Sequence, residues 1–148
     1  MRRVRWIVIV AVAGPLLTGC SDDPSQLTAS ELWGLWAAVE MVYTSQADAS
    51  VEADLVGEQG ATYTIELQSD GTFASLLSLL GTGSAEESGS YEVSGGRLIL
   101  DPAGGPRRTL ELDFNRSLLT AYEADASWDF NGDGTGEAAT LHLLLDRF

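Results

Sequence analysis

From residue 62 onward the chain alternates apolar and polar residues in short runs, and a turn dipeptide breaks nearly every run. In Thr62-Tyr63-Thr64-Ile65-Glu66-Leu67-Gln68, the apolar Tyr63, Ile65 and Leu67 fall on one side of an extended backbone, the period of a half-buried strand. Asp70-Gly71 follows, a preferred hairpin dipeptide, and residues 72–80 return. After a loose connection over residues 81–87, residues 89–93 place Tyr91 and Val93 on one face, and Gly95-Gly96 turns the chain into residues 97–100. Residues 101–106 read as a loop by their prolines and glycines. Leu110, Leu112 and Phe114 then alternate with Glu111 and Asp113, Asn115-Arg116 turns, and runs at 117–122, 127–130 and 138–147 complete the chain.

Upstream, Thr28-Ala29-Ser30-Glu31 fits a helical capping box, with Leu27 and Leu32 placed as a hydrophobic staple and Gly34 ending the turn. Residues 34–43 form the first strand, and residues 48–60 read as one long acidic loop. Consecutive hairpins of about nine short strands, with no helix after the first turn, predict an all-β fold. An up-and-down antiparallel β-barrel of about eight to nine strands removes its own edges by closing the first strand on the last. Trp36 is out of phase with Val39, Met41 and Tyr43, so a bulge is required if all four point inward.

The first twenty residues carry an address. Arg2, Arg3 and Arg5 precede an apolar run from Trp6 to Leu17, and Leu17-Thr18-Gly19 leads into Cys20, the only cysteine. This has the form of a secretory signal and resembles a bacterial lipobox, which implies diacylglycerol on Cys20 and cleavage before it. The apolar run is short for a transmembrane span, which needs about 20 residues, and the next residues are Ser21, Asp22 and Asp23. The chain therefore divides into a signal (1–19), the lipidated Cys20 with a polar tether (20–26), and one domain (27–148). Anchoring through acyl chains on Cys20 places that domain outside the cytoplasm, in a bacterial cell envelope. Ser21 in place of Asp resembles an outer-membrane address facing the periplasm in a Gram-negative envelope.

With Cys20 acylated, no disulfide is possible, and the domain must rest on its core. Loss of the three signal arginines leaves 5 basic residues, all Arg, against 22 acidic ones, a formal charge near −17. Such a surface repels nucleic acid and anionic headgroups. No phosphate loop, zinc spacing or dinucleotide fingerprint appears. His142 is the only histidine and stands opposite in phase to Leu141, Leu143 and Leu145, so it points to solvent. These observations argue against an enzyme.

A helical turn leading into Gly34-Leu35-Trp36, a β-meander and a late Arg147 together resemble the lipocalin-like fold. The hairpin Asp70-Gly71-Thr72-Phe73 and the strand start Gly89-Ser90-Tyr91 also resemble bacterial lipocalin-like lipoproteins. The resemblance implies that Trp36, after Gly34, packs across a closed barrel end with Arg147 over its indole. It also implies an interior able to hold a small apolar or amphipathic ligand, lined by Tyr63, Ile65, Leu67, Tyr91, Leu98, Leu110, Leu112, Leu141, Leu143 and Leu145. The alternative is that these side chains fill the interior, leaving an envelope protein that acts on another protein through its surface. No organic cofactor is implied.

Asp129-Phe130-Asn131-Gly132-Asp133-Gly134-Thr135-Gly136-Glu137 has the alternating oxygen spacing of a calcium loop. Asp129, Asn131 and Asp133 would ligate, with the Thr135 carbonyl and Glu137 next. The twelfth position is Thr140, where an EF-hand carries a bidentate Glu. Asn131-Gly132 and Asp133-Gly134 are equally preferred turn dipeptides, so a plain hairpin loop is the other reading.

Overall fold

The computed structural model of the protein describes residues 27–81, 83–115 and 117–148. The lipobox, Cys20 and the 20–26 tether lie outside the described residues, as do Thr82 of the expected 81–87 connection and Arg116 of the expected 115–116 turn. A four-residue helix, α1 (Ala29–Leu32), leads into nine strands. These are β1 (Gly34–Ser45), β2 (Glu52–Asp54), β3 (Thr62–Leu67), β4 (Thr72–Leu79) and β5 (Gly83–Ser94), then β6 (Arg97–Pro102), β7 (Arg108–Asn115), β8 (Leu118–Trp128) and β9 (Glu137–Arg147). Strands β3 to β9 pair in sequence order, and β1 pairs antiparallel with both β3 and β9. The result is a closed antiparallel eight-stranded barrel with β2 added along β1.

The first strand makes closure possible. Its beginning pairs with β3, from Gly34 opposite Leu67 to Ala37 opposite Thr64. Its later part pairs with β2 on that same edge, through Val42, Tyr43 and Thr44. Its other edge runs along β9 from Trp36 opposite Arg147 to Ser45 opposite Ala139. The phase conflict is resolved by a register shift between Ala38 and Glu40. Val39 is the extra residue and turns outward, 51% exposed, while Trp36, Met41 and Tyr43 all stay buried.

Three expectations are corrected. Residues 48–60 are not an unbroken loop, because β2 lies within them; Ala53 and Leu55 alternate with Glu52 and Asp54 and are buried. The expected connection at 81–87 is largely strand, since β5 begins at Gly83 and pairs with β4 from Leu79 onward. Backbone pairing needs no apolar side chains, and most of this segment is exposed. The runs expected at 117–122 and 127–130 are joined by one strand, β8, which ends at Trp128 and leaves Asp129 and Phe130 to the loop, and its pairing with β9 shifts between Glu123 and Ala126. The Gln46 side chain spans that irregularity, donating from Nε2 to the carbonyls of Ala124 (2.7 Å) and Ala139 (3.0 Å).

One barrel end is plugged by α1. The Glu31 carboxylate accepts from the Thr28 amide at 2.8 Å and from the Thr28 hydroxyl at 2.7 Å, closing the helical turn on itself. Gly34 follows at φ +121°, a conformation that strains any side chain. Leu32 and Trp36 are then fully buried. The Trp36 indole donates to the Leu32 carbonyl at 2.8 Å, and Phe114 meets it edge-on at 6.1 Å between ring centres. The Arg147 guanidinium lies 4.5 Å above the Trp36 ring and donates to the Glu31 carbonyl. Cation–π attraction of this kind adds roughly 0.5–2 kcal/mol, whereas deleting a buried Trp costs about 3–5 kcal/mol, so burial of the indole dominates. Trp36→Ala is expected to lower unfolding free energy by about 3–5 kcal/mol in denaturant titration, and Arg147→Ala by a smaller amount. Equal losses would show that the cation, not burial, holds this end.

Candidate functional site

Residues directly opposite one another in an antiparallel pair share a face, and the register therefore says which side chains enter the barrel. Toward the plugged end the inward layers are apolar: Ile65, Leu67, Phe73, Leu98, Leu100, Leu110, Leu119, Leu141, Leu143 and Leu145 are all buried. Toward the other end the same parity continues, but the residue types change. Glu87 stands opposite buried Ser75, Arg108 opposite buried Leu100, and Glu123 opposite buried Leu141. Charged side chains thus occupy inward positions on β5, β7 and β8. On β5 the inward neighbour toward the mouth is Ala85, too small to fill the cavity it borders, while at Gly89 the Asp101 carbonyl leaves no room for a side chain.

A cavity of about 460 Å³ opens at this end. Its walls include Met41, Tyr43, Tyr63, Ser75, Leu77, Glu87 and Arg108, with the connection of Ala103, Gly104 and Gly105 along one side. A second hollow of about 360 Å³ shares Tyr43, Glu87 and Arg108 and adds Glu123, Asp125 and Ser127. Of the ten residues expected to line a pocket, only Tyr63 borders the larger cavity. The others pack into or against the core, Tyr91 and Leu112 at its margin. The Tyr91 hydroxyl donates to the Gln68 carbonyl at 2.8 Å.

Arg108 is the centre of the open end. Its Nη2 lies 3.5 Å from Glu87 Oε2, and its Nε lies 3.8 Å from Glu123 Oε1. The second distance is too long for a hydrogen bond. The Nε atom is buried and finds no hydrogen-bond acceptor among the described residues. Burial works against the Arg108 charge, but Glu123 and Glu87 outweigh it and hold the guanidinium protonated. Burial pushes the Tyr43 hydroxyl up to about 12. It also raises Tyr63, with Arg108 and Ser75 drawing that group partly back. Both phenols are therefore neutral donors at physiological pH. The Tyr43 ring stacks on Trp128 at 4.7 Å, which fixes one wall of the mouth.

Sequence reasoning passed over Glu87, Arg108 and Glu123, although the signal was present. Arg108 keeps step with Leu110 and Leu112, Glu123 with Leu119 and Ala121, and Glu87 with Tyr91 and Val93. A charge in phase with an apolar run marks an inward polar site.

The loop at 129–137 is bonded to itself. Asp129 Oδ1 accepts from the amides of Gly132 and Asp133, and its Oδ2 from that of Gly134, at 2.7–3.1 Å. Asn131 accepts from the Asp133 amide and Asp133 from the Thr135 amide. Glu137 accepts from the Phe130 amide and the Asn131 side chain. Among the described residues no three His, Cys, Asp or Glu side chains gather as a ready metal group. His142 faces outward and its Nδ1 lies 2.8 Å from Glu40 Oε1, on the barrel's outer surface and away from the cavity walls.

Compared with protein-family models and with curated proteins, the chain matches none.

Burial raises the Glu123 carboxyl above the ordinary glutamate value of 4.5, and Arg108 only partly reverses this. A carboxyl raised on folding stabilises fully below its unfolded value, and that contribution is lost as pH climbs through the folded value. The stability difference between Glu123→Gln and the parent is therefore expected to move in favour of Gln as pH rises above about 4.5. Unfolding titrations at several pH values measure it. A flat difference would mean that Glu123 is solvated, and one that moves the other way would mean that Arg108 outweighs burial.

Proposed function

We propose that this protein is a lipid-anchored, extracytoplasmic lipoprotein of lipocalin-like type that binds one small amphipathic molecule at the open end of its barrel. The observation carrying this reading is the cavity of about 460 Å³, which falls in the usual range for small-ligand sites and combines an apolar floor with convergent polar groups. The signal and lipobox supply the anchoring half of the proposal, through Cys20, and put the membrane contact at the tether. Binding rather than catalysis is favoured by the outward placement of His142 and by the absence of a nucleophile paired with a base among the described cavity walls. The alternative, a filled barrel acting on a protein partner, is favoured by the close packing of Leu98, Leu110, Leu141, Leu143 and Leu145.

Mass spectrometry of the processed protein from its own host tests both halves. The denatured mass is expected to match a chain starting at Cys20 with acyl groups, and Cys20→Ser is expected to lose them. The native mass is expected to exceed the denatured one by a small molecule. Equal native and denatured masses would favour the filled-barrel alternative, and an unacylated chain would remove the anchor.

Calcium at the 129–137 loop is a second part of the proposal. The favouring observation is that Asp129, Asn131 and Asp133 each turn the backbone around an oxygen at every second residue. Hydrogen bonds from Thr135 and Asn131 also hold the Asp133 carboxyl below its usual range, so it stays ionised. Binding would draw Glu137 from its present partners and would lack the bidentate twelfth ligand, which implies weak affinity. A tenfold excess of calcium over Kd adds about 1.4 kcal/mol by linkage. Thermal melts in millimolar calcium are expected to exceed those in chelator, and Asp133→Ala to remove the difference. Coincident curves for the parent would make this loop a turn only.

A further inference from the structure

Resting on the binding role proposed above, the charge pattern of the mouth narrows the class of ligand. Arg108 offers donors inside the cavity, and its buried Nε has no protein acceptor among the described residues. That atom is shut off from solvent, so a ligand oxygen meets the guanidinium through its Nη donors, on a side chain 27% exposed. The simplest occupant of such a site is an anion. The surroundings oppose one. Glu87 and Glu123 already flank the guanidinium at 3.5 and 3.8 Å. Across the two adjoining hollows the charged walls are Glu86, Glu87, Glu123 and Asp125 against Arg107 and Arg108. Arg107 is itself turned toward Glu92, 3.9 Å away on the exposed surface. A carboxylate or phosphate entering here would gain one cation and meet several carboxylates, in a site where charges are weakly screened.

An uncharged oxygen avoids that repulsion. A carbonyl or ether oxygen accepts from the Nη donors of Arg108, and hydroxyl groups on the same head exchange hydrogen bonds with Tyr63, Ser75 and the carboxylates. Met41 and Leu77 take the apolar part. We propose that the mouth cavity selects an uncharged amphipathic molecule, its head oxygen accepting from the Arg108 guanidinium, and discriminates against a fatty acid of the same chain length.

The test uses the processed protein in nanodiscs, with empty discs as blank and calorimetric titration at neutral pH. The probes are 1-decanoylglycerol, decanoate and decyltrimethylammonium. The glycerol ester is expected to bind at least tenfold tighter than decanoate, and Arg108→Leu to weaken it at least tenfold. Glu87→Gln with Glu123→Gln frees the guanidinium and is expected to raise decanoate affinity at least tenfold, a gain that mere structural damage does not produce. Circular dichroism checks folding, and if Arg108→Leu is unfolded the double glutamine variant decides. Decanoate binding as tightly as the ester, or the ammonium binding tighter than both, overturns this selectivity while leaving the binding role intact. No binding by any of the three overturns both.

Discussion

The whole architecture depends on one strand having partners along both edges. β1 pairs with β9 along one side and divides its other side between β3 and β2. Without the β1–β9 ladder the meander is an open sheet with two long edges, a template for aggregation. The register of that ladder has a second consequence. Trp36 lies opposite Arg147, so the same pairing that closes the barrel brings the guanidinium over the indole and holds α1 against the end. The outward bulge at Val39 makes both compatible, because it keeps Trp36 and Tyr43 inside one strand of fixed alternation.

From that closure the barrel acquires two unlike halves. Near the plug, large apolar side chains fill the inward positions, each contributing roughly 1.5–3 kcal/mol when fully buried. Near the mouth the inward positions carry Glu87, Arg108 and Glu123, with Glu123 only 4% exposed. Buried ion pairs seldom add net stability, and well-packed apolar replacements are often neutral or stabilising by about 1–4 kcal/mol. A barrel serving only as a scaffold gains more from apolar residues there. The binding role proposed above draws on this charged layer, which sits on a wall that the Tyr43–Trp128 stack supports.

Much of the fold was legible because alternation, hairpin dipeptides and the capping box speak directly for local structure. Thr62 to Leu67, the Asp70-Gly71 turn and the final strand need no tertiary information. What escaped was set by context. β2 is three residues long and exists because β1 offers it an edge, although Ala53 and Leu55 carry a faint alternation. The first part of β5 has almost no apolar pattern, since its inward residues face a cavity and not a core. β8 looks broken because its register shift leaves Ala124 and Asp125 out of phase. The candidate site escaped for a related reason: a search for an apolar pocket finds the filled half of the barrel, and the open half is marked by charges on apolar parity.

The division of the barrel into a filled apolar half and an open polar mouth is tested most directly by solution NMR of the protein with and without a bound amphiphile. Shift changes are expected at Tyr43, Tyr63, Ser75, Glu87 and Arg108, with Leu98, Leu110, Leu143 and Leu145 unmoved. Changes centred on those leucines would contradict the account, because they would place the ligand in the half that the structure fills.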